Sequence, residues 1–292
     1  MNKKAIVIDG NSLLYRAFYA TYNQLEFYKK NNLKPLNALK LMLQIFFKLL
    51  YLEKYDYAVI AYDHKDKTFR DDIFDDYKKN RKKTPEELIE QIPLVHEISK
   101  LFGFQFECVS GIEADDVVGS ASKILSKNGV KVDVYTSDKD ILQLVDENIN
   151  VVLFKKGISE TLINTIDNFK NLNEGLMPNQ IAEFKGLAGD ASDNFIGVKG
   201  IGKKTAIDLL MEFENIDGIY KNIDKIKSKS TQDKLVKDKE NAFMFRDLAT
   251  IDINYFDDKN IDYFRIKNIE LEELKKIIKK YNFNGFDKYL GE

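Results

Sequence analysis

Short apolar runs alternate with longer amphipathic segments over the first half of the chain. Segments with helical periodicity lie at 11–21, 36–54, 84–101 and 114–128. Five apolar runs have the length and composition of buried strands. They are KAIVIDG from Lys4, YAVIAYD (57–63), FQFECV (104–109), VKVDVYTSD (130–138) and INVVLF (149–154). This alternation predicts an α/β fold, with a mostly parallel central sheet flanked by helices.

Local signals predict several helix ends. Thr84 and Pro85 precede two glutamates, which predicts a helix with Thr84 as N-cap and Pro85 at its first position, ending at Gly103. Asn128 and Gly129 predict the end of the 114–128 helix. Strand signals fade after about residue 170, and the last helix is predicted at 270–281. We therefore predict an α/β core over residues 1–174 and a second, helical region over 175–292.

The composition permits a substantial core and argues against several protein classes. Apolar residues are 44% of the 292 residues and aromatics are 12%. The single cysteine, Cys108, excludes an internal disulfide and suits a reducing compartment. No signal-peptide pattern is present, and the longest apolar stretch, 39–52, is too short and too polar to span a bilayer. We expect a cytoplasmic protein with no membrane partner.

Carboxylates recur where predicted strands end or helices begin. The nine candidates are Asp9, Asp63, Glu113, Asp115, Asp116, Asp138, Asp140, Asp190 and Asp193. The carboxyl ends of parallel strands meet at one edge of a sheet, so these acids should converge. Buried carboxylates repel one another and become protonated unless a cation lies among them. For Glu113, Asp115 and Asp116 taken alone, simple stabilisation of a helix N-terminus explains the pattern equally well.

Hard divalent cations such as Mg²⁺ or Mn²⁺ prefer oxygen ligands, and no cluster of Cys and His points to zinc. Two such ions about 4 Å apart stabilise both the attacking and the leaving oxygen of a displacement at phosphorus. The acids therefore predict phosphodiester hydrolysis. The two histidines, His64 and His96, are expected on the surface and on a helix face.

A basic segment follows the strand that ends at Asp63. Its cations are Arg70, Lys78, Lys79, Arg81, Lys82 and Lys83, and Phe69, Phe74 and Tyr77 are interleaved with them. A solvated charge run is the usual explanation of such a pattern. Because this segment lies beside the predicted site, we favour a surface that binds phosphates and stacks a base.

The stretch GVKGIGKKTAIDLL, residues 197–210, resembles a helix-hairpin-helix motif. Gly200 and Gly202 flank Ile201, and Lys199, Lys203 and Lys204 surround them. Glycines allow close backbone approach, and the amides of a helix N-terminus bind phosphate without reading bases. A plain corner between two helices is the alternative. Once the nine acids are assigned to cations, the remaining surface is net positive although the whole chain has a formal charge of −2.

Five segments together resemble the 5′–3′ exonuclease and flap endonuclease family, as in the N-terminal domain of bacterial DNA polymerase I. They are VIDGNSLLYRAF, TFR…YKKNRKKTPEEL, GIEADDVVGS, TSDKDILQLV and GLAGDASDNFIGVKGIGKKTA. The similarity runs from about Ala5 to the C-terminal helix. It implies a PIN-like nuclease fold with a helical arch at about 64–92 and a helix-hairpin-helix at about 190–212 that binds duplex DNA.

The resemblance also implies residue roles. The acids from Asp9 to Asp138 would mainly serve one Mg²⁺ ion, and Asp140, Asp190 and Asp193, helped by Asp138, would serve the other. Three cations near the scissile phosphate would assist catalysis: Arg16, Lys78 and Arg81. Other residues would contact DNA: Arg70, Tyr77 near the 5′ nucleotide, Lys82, Lys83, and the hairpin residues Lys199, Gly200, Gly202, Lys203 and Lys204. The hairpin could also hold a K⁺ ion.

The function implied is a structure-specific nuclease that removes nucleotides 5′ to 3′ and cuts 5′ flaps in primer processing and repair. We expect two Mg²⁺ ions, for which Mn²⁺ can substitute, and double-stranded DNA with a 5′ end or flap, or an RNA–DNA primer junction, as substrate. We expect a monomer, associated with the nucleoid and linked to a separate DNA polymerase. The alternatives are a non-catalytic DNA-structure-binding protein and a phosphohydrolase of small molecules.

Overall fold

A single six-stranded sheet forms the centre of the protein. The computed structural model describes residues 3–156 and 160–290. The strands are β1 (Lys4–Asp9), β2 (Tyr57–Ala61), β3 (Gln105–Glu107), β4 (Lys131–Thr136), β5 (Ile149–Lys156) and β6 (Glu160–Asn164). Their order is β3-β2-β1-β4-β5-β6, with the first five parallel and β6 antiparallel to β5. The predicted mostly parallel sheet is confirmed.

The edge strand β6 is an element that the sequence analysis missed. It covers ETLIN, in which only Asn164 is fully buried. Most of its side chains are exposed, so it lacks the continuous apolar run that marks a central parallel strand. Its sequence therefore does not show the pattern of a buried strand.

Helices cover both faces of the sheet and form the second half of the chain. In the α/β half they are α1 (Gly10–Ala20), α2 (Leu25–Lys30), α3 (Asn37–Leu52), α4 (Phe69–Ile73), α5 (Glu86–Ile89), α6 (Ile92–Leu101), α7 (Ala114–Lys127) and α8 (Phe169–Leu172). The later ones are α9 (Ile181–Ala188), α10 (Lys203–Phe213), α11 (Ile216–Lys221), α12 (Lys229–Lys237), α13 (Lys239–Ala249), α14 (Leu271–Lys280) and α15 (Asp287–Leu290). Short 3₁₀ turns lie at Tyr22–Gln24, Asp140–Leu144, Pro178–Gln180, Ile223–Lys225 and Ile261–Phe264.

Alternate residues of the central strands point to two separate apolar cores. Ile6 and Ile8 pack with α1, α3 and α6, whereas Ala5 and Val7 pack with α7 on the other face. This follows from the period of two along a strand. Chain order in the sheet reverses between β1 and β4, and in sheets of this kind a crevice opens there, beyond the carboxyl ends of the strands.

The predicted helical region does not pack as one unit. Helices α9 to α12 and the start of α13 enclose an apolar cluster that includes Leu187, Val198 and Ile201. From Ile251 onward the chain returns to the α/β core, where Phe264 packs beside the sheet on the α7 face. Helix α14 joins the opposite face, next to α6. The helices of 176–249 are therefore attached to the core at both ends.

The helix predicted at 84–101 is divided into α5 and α6. Pro93 lies in the first turn of α6, and proline inside a helix clashes with the carbonyl four residues earlier, here that of Ile89. The predicted cap is also wrong: Pro85 is the N-cap residue of α5, and the Thr84 hydroxyl instead bonds the hydroxyl of Tyr15. The stretch predicted as an arch, 64–92, is helical only at α4 and α5, with turns between them.

Within the described residues, no helix combines the length and the apolar character needed to cross a membrane.

Gly103 and Gly129 provide a matched test of the fold. Both follow a helix with a positive φ, +78° and +74°. A Cβ at Gly103 would lie 2.2 Å from the Lys267 carbonyl oxygen, whereas one at Gly129 would meet open space. We expect Gly129→Ala to lower the free energy of unfolding by about 1 kcal/mol, and Gly103→Ala by about 1–3 kcal/mol more because backbone must move. Denaturant unfolding followed by circular dichroism measures both, and equal losses would contradict the close contact.

Candidate active site

The carboxyl edge of the sheet holds the first acids in fixed positions. Asp9 ends β1 and caps α1, and it accepts hydrogen bonds from the Ser12 amide (2.9 Å) and the Thr136 hydroxyl (2.7 Å). Asp63 lies just beyond β2 and accepts from the Ala114 amide at 2.8 Å. Each carboxylate is thus oriented by a neighbouring strand or helix, as the predicted convergence requires.

Helix α7 brings two further acids to the same edge. Glu113 is its N-cap residue and Asp115 lies in its first turn, where the helix dipole favours negative charge. Among the residues that the structure describes, none donates a hydrogen bond to the Asp115 carboxylate. Burial, together with the charges of Asp138 and Asp9, raises the pKa of Asp115 well above its usual range.

Crowding affects Asp9 in the same way. Burial raises the pKa of Asp9 to about 7, and the charges of Asp138 and Asp63 act in the same direction, against the hydrogen bonds that it accepts. Carboxylates that resist ionisation in this way release that unfavourable energy when a cation enters among them. Asp9, Asp63, Asp115 and Asp138 therefore form one mutually repelling group, which we call the first acid group.

Asp140, Asp190 and Asp193 form the second acid group. One carboxylate oxygen from each lies within 4.8 Å of the others. Asp140 begins a 3₁₀ turn after β4, whereas the other two follow α9, so the group joins the sheet to the helical region. Paired backbone hydrogen bonds between Asp190 and Phe195 shape the loop that carries both aspartates.

Lys185 lies at the second acid group and was not foreseen. Its ammonium contacts the carboxylates of Asp140 and Asp190 and lies 3.4 Å from an oxygen of Asp193. The side chain comes from α9 and is 8% exposed. Three surrounding carboxylates overcome the effect of burial, which alone would lower its pKa, and the pKa is raised. The available signal was a lone lysine in the apolar stretch IAEFKGLA, five residues before Asp190.

Arg70 and Asp116 do not have the positions predicted for them. Arg70 is 3% exposed and forms a bidentate pair with Asp116, at 2.7 and 2.8 Å. It also donates to the carbonyl oxygens of Leu248 and Thr250. A guanidinium held on both sides in this way has no surface for DNA, and both Asp116 oxygens are engaged by it. The pair joins α4 to α7 and to the end of α13.

The basic segment folds down onto the acids. Tyr77 is buried and stacks on Phe195, with ring centroids 5.7 Å apart. Lys78 donates to a Glu113 oxygen at 3.0 Å, and Arg81 donates to Asp193 at 2.8 Å. Lys78 thus pairs with the acid that begins α7, and Arg81 pairs with a member of the second acid group. The segment is not a continuous helix at this point, since Lys78 has a φ of 54°. The inward contacts of Tyr77, Lys78 and Arg81 accompany this break in the helix.

Arg16 lies beside the site but is directed to the backbone. Its Nε donates to the Ser137 hydroxyl at 2.7 Å, and its other nitrogens bond the carbonyl oxygens of Phe154 and Lys155. Burial lowers its pKa. In this structure Arg16 therefore joins α1 to the ends of β4 and β5, close to Asp138.

The remaining predicted DNA contacts are on the surface. Lys82 and Lys83 are exposed, as are Lys199, Gly200, Gly202, Lys203 and Lys204. Val198 and Ile201 are buried in the helical cluster, which holds the hairpin loop in place while Gly200 and Gly202 are exposed. Gly200 has a φ of +85°, and Gly202 is the N-cap residue of α10. Helices α9 and α10 are joined by this loop, an arrangement that both the predicted helix-hairpin-helix and the alternative plain corner require.

The donor set of the two acid groups fits hard divalent cations. All the ligands available are carboxylate oxygens, which Mg²⁺ and Mn²⁺ prefer. Both groups and the inward cations of the basic segment border one cavity of about 10 Å³, which is room for about one water molecule. A phosphate group is larger than this cavity, so it can enter between the acids and the side chains of Lys78 and Arg81 only if those side chains move.

Sequence comparisons identify relatives of this chain. Two family models match: the 5′–3′ exonuclease N-terminal resolvase-like domain at residues 4–172, and the 5′–3′ exonuclease C-terminal SAM fold at 176–272. The 5′–3′ exonuclease of Mycoplasma pneumoniae is 47% identical over 258 residues, which is 88% of each chain. That of Mycoplasma genitalium is 43% identical over 282 residues, 97% of each chain. DNA polymerase I of Bacillus subtilis is 36% identical over 290 residues, 99% of this chain but 32% of the polymerase.

Solved structures share the fold. The T5 5′-exonuclease with bound zinc matches with a TM-score of 0.70 and 20% identity, covering 95% of this chain and 99% of that one. The catalytic core of Rad2 in complex with DNA substrate matches with a TM-score of 0.62 and 17% identity, covering 99% and 90%. Family models that cover most of the chain, and relatives of nearly its full length, agree with the resemblance that the motifs predicted: this chain belongs to the 5′–3′ exonuclease family.

Proposed function

We propose that this protein hydrolyses DNA phosphodiester bonds, removing nucleotides from 5′ ends and cutting 5′ flaps with the help of two divalent cations. The observation that carries the proposal is the meeting of two acid groups and two cations of the basic segment around one small cavity. The T5 relatives are described as a 5′-exonuclease with divalent metal ions and as a flap endonuclease, which supports the same activity here.

The acids would hold Mg²⁺, with Mn²⁺ as a substitute. Asp9, Asp63, Asp115 and Asp138 would serve one ion, together with Glu113 once Lys78 has left it, and the second acid group would serve the other. Bound divalent cations would stabilise the charge on the attacking and leaving oxygens at phosphorus. Asp116 contributes by holding Arg70, which neutralises it and lies 3.3 Å from Glu113.

Lys78 and Arg81 would exchange their carboxylate partners for the scissile phosphate. In the free protein they neutralise Glu113 and Asp193. A phosphate that enters the site offers the same kind of anionic oxygen, and charge-assisted hydrogen bonds to it are strong. Positively charged donors placed where charge develops accelerate phosphoryl chemistry. Arg16 would support this arrangement by fixing the loop that carries Asp138.

The hairpin at 197–202 and the exposed lysines beside it would hold duplex DNA by its backbone. Exposed amides at the start of α10 and nearby ammonium groups bind phosphates without reading sequence. This suits substrates defined by structure, namely duplex DNA with a 5′ end or flap and RNA–DNA primer junctions. Similarity to polymerase I fits a role beside a DNA polymerase. The K⁺ ion at the hairpin stays a prediction, and the Lys234 ammonium already contacts the Gly200 carbonyl oxygen at 3.2 Å.

Asp115→Asn tests the first acid group. Loss of this carboxylate should lower the rate of flap cleavage by at least about a hundredfold, because several kcal/mol of transition-state stabilisation depend on the cations. Cleavage of a 5′-labelled flap in Mg²⁺ is the measurement. Asp133→Asn is the control, because Asp133 lies in the middle of β4, away from the carboxyl edge, and should leave the rate unchanged. Full activity of Asp115→Asn would remove this carboxylate from the mechanism.

The variants Lys78→Met and Lys79→Met test whether the inward position of Lys78 matters for cleavage. Lys78 points to Glu113, whereas Lys79 pairs with Asp76 on the surface. We expect Lys78→Met to lower single-turnover cleavage by about 10²–10³-fold with little loss of DNA affinity, because the interaction is made in the transition state. Lys79→Met should change the rate less than about threefold. Equal effects would show that the segment acts only through its overall charge.

The pH dependence of stabilisation by Mg²⁺ tests the raised pKa values. Because folding raises the pKa of Asp9 from 3.8 to about 7, ionisation of Asp9 should destabilise the metal-free protein as the pH rises from about 4 to about 7. Mg²⁺ binds the ionised form, so its increment in melting temperature over EDTA should be larger near about pH 8 than near about pH 5.5. Equal increments would mean that the acids are ionised throughout.

A further inference from the structure

The second acid group already contains a cation that belongs to the chain. The Lys185 ammonium touches all three of its carboxylates, Asp140, Asp190 and Asp193, and its side chain is almost fully buried. The first acid group lacks such a partner: in the ranges 3–156 and 160–290, no lysine or arginine forms an ion pair with Asp9, Asp63, Asp115 or Asp138. The two groups therefore balance their charge in different ways.

The ammonium contacts one oxygen of each carboxylate, and a divalent cation at this group would take its ligands from the same three carboxylates. The three ligand atoms lie within 4.8 Å of one another, a spacing that suits one cation. Mg²⁺ and Mn²⁺ bind oxygens at about 2.0–2.2 Å, so neither can contact all three carboxylates while the ammonium donates to them. Lysine has a flexible four-carbon stem and three rotatable donors, which makes it easier to move than a bidentate arginine.

The surroundings leave space for this movement. Lys185 borders an open cavity of about 600 Å³, which Asp140 and Asp190 also line. Ser192 and Glu174 also line it, so a displaced ammonium would meet polar groups and solvent. Arg70, by contrast, is held by Asp116 and two backbone carbonyls and has no comparable exit.

We propose that Lys185 is a tethered counter-cation of the second acid group. It holds Asp140, Asp190 and Asp193 together in the metal-free protein, and a divalent cation binds there only by displacing it. Lys185 thereby sets the affinity for the second ion and makes it weaker than the affinity for the first. This inference rests on the proposed function, because it requires that both acid groups bind divalent cations.

Mn²⁺ binding to the whole 292-residue chain tests the proposal without DNA or catalysis. Calorimetric titration should resolve two classes of site, and Asp190→Asn, which alters only the second acid group, should weaken the lower-affinity class. In Lys185→Met we expect the dissociation constant of that class to fall by at least about tenfold, while the tighter class changes by less than about twofold. Chelator competition that starts from the Mn²⁺-loaded protein gives the same constants if the metal-free variant folds poorly.

Two further variants separate charge from general damage. Lys123→Met removes another partly buried lysine, which pairs with Asp146 at 2.9 Å away from both acid groups, and should leave both constants unchanged. Lys185→Arg keeps the positive charge and should give no tightening. Unchanged or weaker binding of the second ion in Lys185→Met would overturn this inference but leave the proposed function standing. Absence of Mn²⁺ binding to the wild-type protein would overturn the proposed function with it.

Discussion

Repulsion among buried carboxylates at one edge of the sheet is the constraint on which the rest of this structure depends. Parallel strands deliver Asp9, Asp63 and Asp138 to that edge, and the start of α7 adds Asp115. Repulsion of this kind lowers the free energy of unfolding when the acids are ionised. The raised pKa values of Asp9 and Asp115 reflect this unfavourable energy. The surrounding elements can be understood by how they compensate for this charge, whether with protons, with helix dipoles or with cations supplied by distant parts of the chain.

The cations of the chain fall into two kinds. Arg70 is permanent, because it is buried, paired with both oxygens of Asp116 and bonded to backbone carbonyls. Lys78, Arg81 and Lys185 would be exchangeable in the proposed mechanism, because their contacts with the acids are ion pairs and none of them has the two backbone carbonyl bonds that fix Arg70. Exchangeable charges keep the free protein stable and can be given up when ions or phosphates arrive. The difference between the two kinds follows from the number of fixed partners and not from the residue type alone.

The sequence predicted the parallel sheet and the position of most acids, because both depend on local pattern: a buried run followed by Asp9 or Asp138 places a carboxylate at the carboxyl edge. It could not predict the roles of Arg70 and Tyr77, because a basic, aromatic segment looks solvated until its tertiary partners are known. Lys185 was missed for the same reason, since its three partners come from two regions of the chain. The C-terminal return to the core is likewise set by contacts remote in sequence.

The order of these segments along the chain determines when the site can assemble during translation. Helices of 176–249 form between two portions of the α/β core, and Arg70 depends on the carbonyl oxygens of Leu248 and Thr250 while Phe264 completes the packing beside the sheet. A ribosome releases the N-terminal part first. The acids of β1, β2 and α7 thus emerge long before the segment that secures their surroundings. Synthesis itself therefore delays the appearance of an assembled nuclease centre until the segment around Leu248 and Thr250 has left the ribosome.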